Sequence, residues 1–98
     1  MGSGMSERTA SSLAKLDVLL PRLNALAPGS SRDQLVEDAE ALRRAVAAFH
    51  MEAIRFRFYS VDRLLRSSGD DPDARQAFEE LRRELETAGF HTRSHAAP

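Results

Sequence analysis

The chain has 98 residues, a formal charge of −1, 42% apolar residues and no cysteine. That length accommodates one core and not two. The missing cysteine excludes disulfide frameworks, thiolate metal sites and cysteine nucleophiles. So small a net charge exerts no overall pull toward nucleic acid or an anionic membrane.

Fifteen of the apolar residues are alanine, whereas Val, Ile and Thr together number eight. Helix formers therefore dominate, and the fold class expected is all-α. Met1-Gly2-Ser3-Gly4 ahead of Met5 reads as an expression tag remnant (residues 1–4), leaving a single helical domain over residues 5–90. The longest unbroken apolar run, Ala45-Val46-Ala47-Ala48-Phe49, is too short for a signal core or a membrane span. No membrane association is expected, and the cytoplasm is the expected location. Thirteen arginines against one lysine read mainly as the codon habit of a GC-rich bacterial genome.

The first helix is expected over about 6–26. Leu13, Leu16, Leu20 and Leu23 recur at three- and four-residue spacing, and Leu19 and Leu26 widen the stripe. Pro21 lies inside this pattern and predicts a bend or a restart. Ala27-Pro28-Gly29 ends it.

The second helix is expected to open on a capping box, Ser31-Arg32-Asp33-Gln34. No breaker follows until Gly69, so the spacing predicts one continuous helix over 31–67, roughly 55 Å long at 1.5 Å per residue. Two apolar stripes run along it. Leu35, Ala39, Leu42, Val46, Phe49, Ala53 and Phe56 form one. Met51, Ile54, Phe58, Val61 and Leu65 form the other, about 120° away.

The third helix is expected over 72–88, with Asp71 capping and Pro72 in the first turn. Ala74, Phe78, Leu81, Leu85 and Ala88 make its stripe, and Gly89-Phe90 fits a Schellman ending. Residues 91–98 read as a disordered tail, and its histidines, His91 and His95, as incidental.

Short loops make neighbouring helices antiparallel. The architecture expected is a three-helix chain, with short first and third helices packed antiparallel on a long central helix. Two stripes on one helix imply more surface than one chain covers, so the bundle is expected to be completed as a homodimer.

Near-zero net charge conceals segregation. Residues 43–68 carry +4 and residues 69–90 carry −4. The arginines Arg55, Arg57, Arg63 and Arg66 are therefore expected to face the acidic third helix.

Arg43, His50 and Arg57 are seven apart and form one line along the expected long helix, with His50 and Arg57 inside the apolar sector. Charge held away from water must be answered. The available partners are Glu79, Glu84 or Glu86, Asp17, a dimer mate or an anionic ligand. The plain reading of this line is a polar layer that fixes register. The aromatic cluster Phe49, Phe56, Phe58 and Tyr59, with Tyr59 near the outer face, is read as core plus dimer seam, or as a groove for a partner helix. No Glu-x-x-His pair, nucleophile elbow or glycine-rich phosphate loop occurs, so no catalytic residue, metal site or cofactor is assigned.

The function expected is a non-enzymatic helical interaction or adaptor module, homodimeric, that binds an unidentified protein partner. One alternative is a small anion-binding protein or enzyme using Arg43, His50 and Arg57. Another is a DNA-associated regulator, which the lack of a basic tail disfavours.

Overall fold

The computed structural model describes residues 4–90, with side chains from residue 9 onward. The remaining tag residues and the tail with His91 and His95 lie outside the described residues. Four α-helices follow one another: α1 (Gly4–Asn24), α2 (Ser30–Ala47), α3 (Met51–Ser67) and α4 (Pro72–Thr87). No strand occurs among the described residues, so the fold is all-α, with four helices where the sequence predicts three.

The difference lies in the expected long helix, which breaks at Ala48-Phe49-His50. Phe49 takes a φ of 57°. Its N–H donates to the Val46 carbonyl at 3.0 Å, and the His50 N–H donates to the Ala45 carbonyl at 3.0 Å. These are the paired bonds of a Schellman ending, with Phe49 where glycine usually sits. An L side chain in that conformation costs about 1–2 kcal/mol. His50 then caps the next helix, its Nδ1 accepting from the Ala53 N–H at 3.4 Å. A reversal built without glycine or proline leaves no breaker to read.

The break accounts for both stripes. Leu35, Ala39, Leu42 and Val46 are buried on α2, and Ile54, Phe58, Val61 and Leu65 are buried on α3. One core is thus lined by two successive helices, and most of each stripe is covered within one chain, Phe56 and Met51 excepted. Phe49 and Ala53 are half-buried, and Phe56, the last member of the first stripe, is turned outward.

α1 packs against both α2 and α4, while α3 packs against α2. The third expected helix meets α3, the C-terminal half of the expected rod, through side chains, and packs more closely on α1. As α4, it returns to α1, where Lys15 meets Glu80 at 3.4 Å and the Arg22 guanidinium donates to the Asp73 carbonyl at 2.9 Å. Side chains close the remaining gap between α3 and α4. The Phe58 and Phe78 rings stack with centroids 4.3 Å apart, and the Arg82 guanidinium lies 5.1 Å from the Phe58 centroid.

Local signals were of mixed value. Pro21 does not split α1. The capping box at Ser31 does not form, because α2 starts one residue earlier, at Ser30, with Gly29 as its N-cap and no side-chain cap bond. Asp71 does cap α4, accepting from the Ala74 N–H at 3.1 Å. Gly89 closes α4 at a φ of 101°, and the Phe90 N–H returns to the Leu85 carbonyl at 2.9 Å.

The ion pairs joining α3 to α4 run opposite to the charge expected from segments. Asp62 supplies the acid from α3, and Arg75 supplies the base from α4, 2.9 Å apart. Arg75 also reaches Asp70 at 2.7 Å and Glu79 at 3.0 Å.

Candidate functional site

The line Arg43–His50–Arg57 is broken by the reversal, and each member takes a different intramolecular partner. Arg43 reaches across to α1, its Nε and Nη2 donating to the Asp17 carboxylate at 2.9 and 3.3 Å. These hydrogen bonds hold the Asp17 carboxyl below its ordinary range and raise Arg43 above its own. Asp17 is one of the acids the sequence offers for this role. His50 is exposed as the cap of α3 and does not lie in an apolar sector. Arg57 donates to Asp38 at 3.1 Å and keeps 40% of its side chain exposed.

Asp38 is a buried acid outside the expected line of charges. Its residue is 5% exposed, between α2 and α3, and it also accepts from the Ser60 hydroxyl. The signal was available: Asp38 sits three residues after Leu35 and four before Leu42, on the core side of α2.

Among the remaining shifted groups, burial tends to raise Glu79, but hydrogen bonds from Arg82 and Arg75 outweigh it and lower the carboxyl. Burial likewise opposes the Arg75 charge, and its bonds to Asp70, Asp62 and Glu79 hold the proton more firmly than usual. Each shifted group thus belongs to an ion pair that joins helices or braces one. No group of three or more His, Cys, Asp or Glu is placed to hold a metal among the described residues. No helix among them is long and apolar enough to cross a membrane.

What the fold leaves on its surface is concentrated on α3. Phe56 is 62% exposed, Tyr59 49% and Met51 44%. At 100° per residue, Glu52, Phe56, Tyr59 and Arg63 fall within about 60° of one another. That face is opposite the buried row of Ile54, Phe58, Val61 and Leu65. Glu52, Arg55, Phe56 and Tyr59 line a shallow groove of about 450 Å³. The Arg57 guanidinium, paired with Asp38, also stands over the Phe56 ring, 5.4 Å from its centroid. Of the three phenylalanines read as seam or groove, Phe58 is core, Phe49 forms the reversal and Phe56 alone is on this face. A continuous helix gives no reason to separate the outer face of this half from the other, so nothing in the sequence singles out Glu52.

No family model matches the chain, and no curated protein or solved structure matches it significantly.

Proposed function

We propose that this chain is a non-enzymatic helical interaction module and that the outer face of α3 is the surface it presents to a protein partner. The observation that carries this reading is Phe56, largely exposed and central on a face that also holds Tyr59, Arg55 and Arg63. Aromatic and arginine side chains dominate the energetics of protein interfaces, because they bury large area while keeping a polar or charged handle. The shallow groove favours a flat or helical partner over a small molecule, which needs a concave site that buries most of its surface. The opposite row of α3, Ile54, Phe58, Val61 and Leu65, is buried, so the face is anchored to the core.

A photo-crosslinking residue placed at position 56 tests this directly, with the exposed position 83 on α4 as control. In cells of the source organism, position 56 is expected to give discrete protein adducts and position 83 few or none. Equal adduct yields at the two positions, or none at 56, would overturn the reading.

A further inference from the structure

The outer face of α3 has a palindromic order. Along the centre line of the face Glu52, Phe56, Tyr59 and Arg63 follow at spacings of four, three and four, with exposed Arg55 and Arg66 to one side. An acid and a base stand at the two ends, and two aromatics stand between them. A two-fold axis through the midpoint, between Arg57 and Phe58, pairs position 52 with 63 and position 56 with 59. In an antiparallel arrangement of two such helices, each aromatic then meets an aromatic and each charge meets its opposite.

From this we infer that the partner of the α3 face is a second copy of the chain, docked antiparallel, α3 on α3. Phe56 would pack on Tyr59 of the partner subunit, and Glu52 would pair with Arg63 of the partner subunit, each contact occurring twice. The inference rests on the reading of this face as an interaction surface and specifies its occupant.

An isologous interface requires self-complementarity, residue i against j and j against i. A surface with one sign of charge would repel its own copy, and opposite ends of unlike sign remove that objection. Arg66, farther along the same face, is drawn toward Asp62 at 3.2 Å, a carboxylate it shares with Arg75. Arg55 lies at the edge of the face, within reach of a partner ring on which its guanidinium can stack. Seventeen residues of helix span about 25 Å, so the contact belongs to the small class of interface. Association is then best measured at tens to hundreds of micromolar chain.

Two charge-reversal variants test the register. Glu52→Arg leaves only arginine at both ends of the palindrome, and Arg63→Glu leaves only glutamate. Each alone is expected to self-associate roughly tenfold more weakly or worse than wild type in sedimentation, because like charges are brought together. Mixed in equal amounts they are expected to recover the wild-type dimer mass, since each supplies what the other lacks. Wild type remaining monomeric at 200 µM would overturn the inference, as would a mixture no heavier than its components.

Because the natural chain has no cysteine, a second test is independent of charge. Under oxidation, Glu52→Cys alone should give no disulfide dimer, its two copies being about 16 Å apart along the helix axis. Mixed with Arg63→Cys it should give one. A Glu52→Cys homodimer, or no mixed dimer, would overturn the register. Adducts from position 56 to a different protein, with wild type monomeric, would reject self-association and leave the interaction surface standing.

Discussion

The ring of Phe49 meets the ring of Phe90 edge to face, with centroids 5.4 Å apart and planes at 68°. The reversal between α2 and α3 is thereby tied to the closing turn of α4, 41 positions later in the chain. Both residues stand at Schellman endings, Phe49 in the left-handed position itself and Phe90 just after Gly89. The aromatic contact offsets part of the backbone cost at Phe49.

That geometry predicts an unusual order of stability at position 49. Phe49→Ala loses the ring contact but keeps the unfavourable φ, and should cost about 2 kcal/mol. Phe49→Gly loses the same ring but relieves the backbone, and should be about 1 kcal/mol more stable than the alanine variant. In an uninterrupted helix the order reverses, with glycine about 1 kcal/mol worse than alanine. Urea denaturation of the two variants measures the sign.

Asp38 should be worth more to Ser60 than to Arg57. Asp38 and Ser60 are buried together, whereas Arg57 keeps much of its hydration. Asp38→Ala is expected to cost about 2–3 kcal/mol by leaving a buried hydroxyl without its charged acceptor. In double-mutant cycles, Asp38 with Ser60 should couple by more than about 1 kcal/mol, and Asp38 with Arg57 by less. Equal couplings would contradict the burial order.

Acid should destabilise the fold partly through Glu79. Its carboxyl is lowered in the folded state by Arg82 and Arg75. A depressed carboxylate contributes stability above its unfolded value near 4.5, and that contribution disappears as pH falls through the lower folded value. Thermal melts of wild type should therefore fall as pH drops below about 5. Glu79→Gln should be less stable than wild type at pH 7 and should lose less on acidification. A variant with the wild-type acid slope would remove Glu79 from this role.

Ser12 on α1 is fully buried, and its Oγ has no hydrogen-bond partner among the described residues. Ser12→Ala removes a desolvated hydroxyl and improves helix propensity, so it should leave stability unchanged or raise it by up to about 1 kcal/mol. A loss of more than about 1 kcal/mol in urea denaturation would show that the hydroxyl is bonded.

The sequence made the helical class and the core residues of each segment legible, because leucine and alanine recur at helical spacing from Leu16 to Leu85. It also exposed the Asp71-Pro72 start and the Gly89-Phe90 end, where side-chain chemistry and backbone need coincide. The reversal at Phe49 was hidden because tertiary contact, not local propensity, holds a phenylalanine in a glycine conformation. That omission carried others with it. Joining α2 to α3 placed Phe56 in the core and aligned Arg43, His50 and Arg57 as one feature. It also made two stripes look like surplus surface. The stripes were nevertheless a usable signal, since a 120° jump in the apolar face midway along a helix marks a change of element.

The most direct test of α3 as a self-complementary surface is the mass of the chain in solution. Light scattering at about 100 µM should give wild type a mass well above the 10.9 kDa chain, approaching twice that value as concentration rises. Phe56→Glu, altered only on the outer face, should stay at the single-chain mass while remaining fully helical. Wild type at the single-chain mass throughout, or a Phe56→Glu variant that associates as wild type does, would contradict it.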